Sequence, residues 1–379
     1  MLIGTSSPPH WVRGKVLVSL VVRRSARSIG QGMETMAVAG RRAGRGAVLI
    51  ALLVLASGTR ASAQASTDFY KGRNLELYVG YSVGGGYDLY ARVLARHIGK
   101  HIPGSPTVIP KNMEGAGSLR LANWLTRAAP RDGSVFATFG RGVPFYPLLG
   151  LPGAQFKATD FGWIGSASNE VSMCVSWGTS KITKIEEAET TQMVVGGTGP
   201  SDDTVQFPRV LNGVLGTKFK VISSYPGGND IVLAMERGEV EGRCGWSWST
   251  ITATRPDWVS GKKIHLLIQL ALHKHPDLPD VPLVTDLAKT PEQKNIIKLM
   301  FARQVVGRPY AAPPGIPSER LALLQRAFMD TMADPEFLAD AKKLELEISP
   351  VSGPEVEQLL REVYATPPDV AQKLSALLK

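Results

Sequence analysis

The strongest constraint on the fold is an alternation of strand-like and helix-like segments that begins near residue 74. Residues 75–81 alternate along a strand rich in β-formers, and residues 88–98 place apolar side chains at helical spacing. Residues 107–110, 119–129 and 135–139 then predict a strand, a helix and a strand. Strands separated by helices are typical of a parallel sheet with helices on its faces.

The same alternation returns in the middle of the chain. It predicts helices at residues 204–215 and 230–237, among strands at residues 173–176, 193–195, 220–223, 239–244 and 263–271. The chain then ends in helices, two of which are opened by Pro317-Ser318 and Asp334-Pro335. The length is sufficient for two α/β domains.

The first 65 residues have the pattern of a leader. Arg41, Arg42 and Arg45 precede a short apolar run that ends in small residues up to Ala63 and Ala65. A basic segment, a short apolar segment and an A-x-A-like site are typical of a cleavable signal peptide, here at about residues 33–65. Residues 1–32 are an N-terminal extension, or translation starts at Met33 or Met36. We therefore expect an exported protein, located in the periplasm of a double-membraned bacterium.

Most of the net charge of +10 belongs to this leader. Nine of the 43 basic residues and one of the 33 acidic residues lie in it, which leaves a net charge of about +2 for residues 66–379. The high isoelectric point is therefore no sign of nucleic-acid binding. No later apolar run reaches the roughly 20 residues of a membrane-spanning helix, so we expect no membrane span after leader removal.

The chain has two cysteines, Cys174 and Cys244. An even number in an exported protein favours a disulfide over a redox or metal role. Two small buried thiols are the alternative.

A glycine-rich loop follows the first predicted strand. It reads Ser82-Val83-Gly84-Gly85-Gly86-Tyr87-Asp88 and leads directly into a helix. Glycines let backbone N–H groups approach a ligand, and a helix N-terminus favours negative charge. The loop is neither a Walker loop nor a dinucleotide fingerprint, and by itself a triple glycine is also typical of a tight turn.

Further motifs follow this loop in a defined order. They are Asn112-Met113-Glu114-Gly115-Ala116-Gly117-Ser118, Gly196-Gly197-Thr198-Gly199, Tyr225-Pro226-Gly227-Gly228, Glu236-Arg237-Gly238-Glu239-Val240, Leu278-Pro279-Asp280-Val281-Pro282, Ala311-Ala312-Pro313-Pro314-Gly315-Ile316-Pro317 and Ala333-Asp334-Pro335-Glu336. In this order the chain resembles the extracytoplasmic solute receptors of tripartite tricarboxylate transporters, the Bug family. It departs from the family pattern at Ser82 and Val83, where prolines are usual, and at Pro226, where a lysine is usual.

The resemblance implies a type II periplasmic-binding-protein fold, in which two α/β lobes joined by crossing strands close over a small carboxylate. The first lobe would comprise residues 66–168 plus 268–379, and the second residues 169–267. The ligand would lie between the glycine loop and loops of the second lobe. The site residues expected on this basis are Ser82, Gly84, Gly85, Gly86, Tyr87, Asp88, Arg141, Thr198, Asp202, Asp203, Tyr225, Gly227 and Trp246.

Several of these residues have two readings. Arg141 follows a strand end and is either a guanidinium that grips a carboxylate or a solvated arginine. Asp202 and Asp203 either stabilise a helix N-terminus, or one of them accepts a hydrogen bond from an ammonium or hydroxyl group of the ligand. Trp246 either stacks on the ligand or packs in the core. Glu170 is interpreted as a solvated loop charge.

The sequence predicts a binding protein and no enzyme. It contains no catalytic motif, no cofactor is expected, and His273 and His275 lack metal-ligand partners. The expected partners are a small organic carboxylate and the membrane permease of a tripartite transporter. The alternatives are an exported enzyme with Asp88 or Asp202 as its base, and a sensor subunit for a signalling partner.

Overall fold

The computed structural model describes residues 68–379. The predicted signal peptide and the three candidate start residues lie outside this range. No helix within it is both long and apolar enough to cross a membrane.

The described residues contain strands that build two sheets. These strands are β1 (Asn74–Val79), β2 (Thr107–Asn112), β3 (Val135–Thr138), β4 (Gly162–Ser166), β5 (Ser172–Trp177), β6 (Met193–Gly196), β7 (Phe219–Ile222), β8 (Gly242–Ser247), β9 (Ile264–Leu270), β10 (Pro309–Ala312) and β11 (Val351–Ser352).

Helices connect and cover these strands. They are α1 (Gly86–His97), α2 (Leu119–Arg127), α3 (Glu187–Thr190), α4 (Asp203–Leu215), α5 (Gly228–Glu236), α6 (Trp248–Thr254), α7 (Pro256–Ser260), α8 (Pro291–Phe301), α9 (Ser318–Met332), α10 (Pro335–Lys343), α11 (Gly353–Tyr364) and α12 (Pro368–Leu378).

The first lobe is built on a six-stranded sheet of order β11-β4-β10-β3-β1-β2. Strand β1 pairs parallel with β2 and β3, as the alternation of strands and helices predicted. Strand β10 runs antiparallel to both β3 and β4, and β11 runs antiparallel to β4. The sheet is therefore mixed and not wholly parallel as the alternation indicated, because β10 and β11 run against the other four strands.

The second lobe is built on a five-stranded sheet of order β7-β6-β8-β5-β9. Strand β6 is parallel to β7 and β8, whereas β5 is antiparallel to β8 and β9. The chain passes from the first sheet to the second between β4 and β5, and returns between β9 and β10. Two mixed sheets joined by two crossings confirm the predicted type II periplasmic-binding-protein fold.

Helix α4 brings two acidic residues to the space between the lobes. It begins after Asp202, whose side chain accepts a hydrogen bond from the backbone N–H of Thr204, and it ends at Gly216 in the left-handed conformation. Helix α12 packs against both α4 and α8. At that contact Gly213 allows a close approach of Leu377.

A disulfide joins Cys174 of β5 to Cys244 of the adjacent strand β8. It closes a loop with a sequence separation of 70 residues. Both half-cystines are fully buried. The cross-link therefore fixes the pairing of the central strand β8 with its neighbour β5 in the second sheet.

Candidate functional site

A cavity of about 40 Å³ lies between the two lobes. The glycine loop, the end of β3, the N-terminus of α4 and the segment from β8 into α6 surround it. Its lining residues are Tyr81, Gly85, Gly86, Tyr87, Arg141, Thr198, Asp202, Asp203, Gly228, Arg243, Gly245, Trp246, Ser247, Thr250 and Arg308.

Asp203, the first residue of α4, is held between two buried arginines. Its Oδ2 lies 2.6 Å from Nε of Arg141, and its Oδ1 lies 3.2 Å from Nη1 of Arg303. Arg141 also donates from Nη2 to the hydroxyls of Ser172 and Ser247. Of the arginine's nitrogens, only Nη1 is buried without a partner among the described residues. Most of the guanidinium of Arg141 is thus occupied by protein groups.

Glu170 holds a third arginine at the cavity. Its Oε1 lies 3.2 Å from Nη2 of Arg308 and accepts a hydrogen bond from the hydroxyl of Ser249. The guanidinium of Arg308 also lies over the rings of Tyr87 and Tyr90. Glu170 is only 1% exposed, so the interpretation of this residue as a solvated loop charge is wrong. Its ion pair with Arg308 offsets the cost of its burial.

Asp202 is satisfied by hydroxyl and backbone donors. Its Oδ2 accepts a hydrogen bond from the hydroxyl of Tyr81. Its Oδ1 accepts from both the backbone N–H and the hydroxyl of Thr204. The carboxylate therefore caps α4 and contacts the first lobe at the same time.

Arg243, on β8, has no carboxylate partner among the described residues. Its Nη1 donates to the backbone oxygen of Gly228 at 3.0 Å, and its guanidinium lies over the ring of Trp246. Its Nε is buried and has no hydrogen-bond partner within residues 68–379. Burial lowers the pKa of Arg243 to about 10, although Asp202 acts in the opposite direction. The guanidinium is thus a charge that Asp202 compensates only from a distance, with no direct ion pair among the described residues.

Together these groups form a cavity cluster with an excess positive charge. It consists of the arginines Arg141, Arg243, Arg303 and Arg308 and the carboxylates of Glu170, Asp202 and Asp203. All are buried except Arg243, which is partly exposed. Four guanidinium groups face three carboxylates, so the ionised cluster carries one net positive charge. Such a cavity favours an anion.

The glycine loop approaches the second lobe closely at one residue. A Cβ on Gly86 would lie 2.3 Å from the hydroxyl oxygen of Thr250 and 3.2 Å from Nη2 of Arg308. Only glycine fits at this distance. The N–H of Gly84, in contrast, donates to the side chain of Asp88 within the loop.

Asp88 acts within its own lobe and does not line the cavity. Its carboxylate accepts from Arg92 at 2.8 Å and from Asn112 at 2.9 Å. Burial raises the pKa of Asp88, but the hydrogen bonds from Arg92, the backbone of Gly84 and Asn112 outweigh burial and lower it. The residue stabilises the start of α1.

The structure brings eight of the thirteen expected site residues to the cavity. These are Gly85, Gly86, Tyr87, Arg141, Thr198, Asp202, Asp203 and Trp246. The other five, Ser82, Gly84, Asp88, Tyr225 and Gly227, are not among its lining residues. Contact with a ligand stays a prediction for all thirteen.

Two of these five residues join the lobes beside the cavity. The hydroxyl of Ser82 donates to Asp230 of α5 at 2.6 Å. A Cβ on Gly227 would lie 2.3 Å from the same hydroxyl oxygen. Both residues therefore belong to a contact between the lobes.

Two residues that give the cavity its charge carry no recognisable sequence pattern. Arg243 lies inside a strand and Arg308 directly before one, and neither belongs to a recognisable motif. The other lining residues outside the expected site are Tyr81, Gly228, Gly245, Ser247 and Thr250. Tyr81 could be read from the sequence as either a ligand-stacking or a core tyrosine, and Gly228 belongs to a glycine motif.

Comparisons with known proteins agree with this architecture. No family model matches the chain, and no curated protein matches it in sequence. Among solved structures, the periplasmic binding protein BugD matches with a TM-score of 0.66 and 20% identity, over 81% of this chain and 98% of its own. The malate-bound MatC from Rhodopseudomonas palustris matches with a TM-score of 0.63 and 18% identity, over 79% and 99%.

A TctC solute-binding protein from Polaromonas matches with a TM-score of 0.53 and 19% identity, over 80% of this chain and 99% of its own. At these identities the likeness concerns the fold. It confirms in fold the resemblance that the ordered motifs indicated: the chain has the architecture of the extracytoplasmic solute receptors that include BugD and TctC.

Proposed function

We propose that this protein is a periplasmic solute-binding receptor. It captures a small organic carboxylate between its two lobes and delivers it to the permease of a tripartite tricarboxylate-type transporter. Residues 66–168 plus 268–379 form one lobe and residues 169–267 the other, and the crossings between them serve as the hinge. Residues 33–65 direct export and are removed.

One observation carries this proposal: the cavity between the lobes is lined by guanidinium groups that outnumber the carboxylates beside them. Asp203 pairs with both Arg141 and Arg303, and Glu170 pairs with Arg308. Arg243 forms no ion pair among the described residues, and the cluster as a whole keeps one excess positive charge. Because a charge in a poorly solvated cleft is costly without a partner, an anion that enters the cavity lowers the free energy of the closed form.

The similar structures support the same class of ligand. MatC holds malate, and another similar protein from R. palustris holds adipate. Both ligands are organic carboxylates, which supports a carboxylate as the ligand of this chain.

A ligand screen with the protein lacking residues 1–65 tests the proposal. We expect some carboxylates to raise the melting temperature and to bind measurably in calorimetry, while neutral sugars and the corresponding amides do neither. A ligand present at 100 times its dissociation constant contributes about 2.7 kcal/mol to stability. Stabilisation by a neutral sugar and by no carboxylate would refute the proposal.

The contacts of the two proposed bases argue against the enzyme alternative. The carboxylate of Asp88 accepts three hydrogen bonds from protein groups and does not line the cavity. That of Asp202 accepts from Tyr81 and Thr204. Recovery of each acid unchanged after long incubation distinguishes a receptor from an enzyme. A sensor subunit would co-purify with a membrane kinase instead of a permease.

A further inference from the structure

We infer that the cavity selects a small monocarboxylate with a single negative charge, and that Arg243 is the specificity-determining residue that pairs with its carboxylate group. This inference rests on the proposed function and deepens it.

The charge balance sets the charge of the ligand. The cavity cluster carries one net positive charge, so a monoanion brings it to zero. A dicarboxylate would leave one net negative charge in a poorly solvated cleft. Uncompensated charge there is costly in either sign, so the cluster discriminates against a second carboxylate.

Arg243 is the member of the cluster that is free to take the ligand. Asp203 and Glu170 already engage the other three arginines, whereas Arg243 has one hydrogen bond, to a backbone oxygen. Two groups fix its position. Its guanidinium lies 5.2 Å from the ring centroid of Trp246, and a Cβ on Gly228 would lie 2.6 Å from its Nη2. A planar, preorganised guanidinium of this kind recognises a carboxylate by charge-assisted hydrogen bonds.

A zwitterionic amino acid fits this cavity less well than a simple acid. Its ammonium group needs an acceptor, and both oxygens of Asp202 and both oxygens of Asp203 already accept from protein donors. It would also leave the excess positive charge in place. The carboxylates of α4 are thus less available to a ligand ammonium than free carboxylates would be.

The size of the cavity limits the ligand further. A space of about 40 Å³ has room for only a few water molecules. In this arrangement of the lobes, acids of the size of acetate, glycolate, lactate and pyruvate are the appropriate probes. Malonate, succinate and malate are the dicarboxylates for comparison, and glycine and alanine are the zwitterions.

The test measures dissociation constants by calorimetry for three proteins: the unsubstituted protein, Arg243→Gln and Arg243→Lys. Arg237→Gln is the matched control, because Arg237 lies in the same lobe, is exposed and pairs with Glu239. Melting temperatures without ligand accompany each binding measurement. They separate a loss of binding from a loss of folding.

We expect at least one monocarboxylate to bind on the order of 10-fold or more tightly than any dicarboxylate or amino acid of the set. Arg243→Gln should weaken that binding by on the order of 10- to 100-fold. Arg243→Lys should restore part of it, and Arg237→Gln should leave it unchanged. Without ligand, Arg243→Gln should melt no lower than the unsubstituted protein, since it removes an unbalanced charge.

Three results would overturn the inference, and they are distinguishable from one another. Tighter binding of a dicarboxylate or an amino acid refutes the charge selection and leaves the proposed function intact. Unchanged affinity in Arg243→Gln refutes the role of this residue. If none of these acids binds while another carboxylate of the ligand screen does, the charge and size selection fails and the proposed function stands.

Discussion

Replacing Asp203 with asparagine should destabilise the protein strongly while hardly changing its shape. The carboxylate balances Arg141 and Arg303, and its side chain is only 6% exposed. Removing one partner of a buried ion pair costs about 3–5 kcal/mol, because it leaves a buried charge without compensation. Here two guanidinium groups lose their counter-charge, so we expect the upper part of that range. The melting temperature should fall by roughly 5–10 °C.

Urea denaturation followed by circular dichroism measures this change in the free energy of unfolding. The control is Asp257→Asn, which removes a pair with Lys263 that is exposed on both sides and should hardly change the stability, because solvent screens exposed ion pairs. Adding Arg303→Met to Asp203→Asn should recover part of the lost stability, because it removes one of the two unbalanced charges. A loss below about 1 kcal/mol for Asp203→Asn would refute the reasoning about the cluster.

Three further predictions concern other parts of the molecule. Replacing both half-cystines of the disulfide with serine should lower the free energy of unfolding by about 4 kcal/mol, as expected for a closed loop of this length, and a loss under about 1 kcal/mol in urea denaturation would contradict this. Gly86→Ala should weaken ligand binding far more than Gly85→Ala. A Cβ at position 86 would collide with Thr250, whereas a Cβ at position 85 would have no heavy atom nearer than 3.9 Å. Equal dissociation constants for the two variants would contradict the close approach at Gly86. The hydrogen bond to Glu347 raises the pKa of His275. The stability that this pair contributes is therefore present below about pH 6.5 and is lost as the pH rises through the raised pKa. Glu347→Gln should abolish this pH-dependent loss of under about 1 kcal/mol, and identical pH profiles of the two proteins in urea denaturation would contradict the prediction.

Much of the fold is visible in the sequence, because local patterns encode it. The predicted helix at residues 204–215 and the observed helix Asp203–Leu215 differ by one residue. Strands β4 and β10 escaped prediction for a physical reason. They are short and contain glycine or proline, and only pairing with distant strands makes them strands.

The site was less predictable than the fold, because its charges balance over long sequence distances. Arg141 and Asp203 are 62 residues apart, and Arg303 and Asp203 are 100 residues apart. No local pattern shows that these arginines are already paired. For the same reason the sequence pointed to Arg141 as the group that grips the ligand, and not to Arg243, whose distinguishing feature is a missing partner.

The packing of α12 on α4 has a consequence for the order in which the protein matures. Arg209 of α4 donates to the backbone oxygen of Leu378, 169 residues later in the chain. Helix α4 therefore lacks its contact with α12 until the 169 residues from Arg209 to Leu378 have been made and α12 has packed against α4. Contacts across such distances form slowly. Because the cavity takes two of its carboxylates from the first turn of this helix, we expect the ability to bind a ligand to appear late in refolding, after most of the secondary structure.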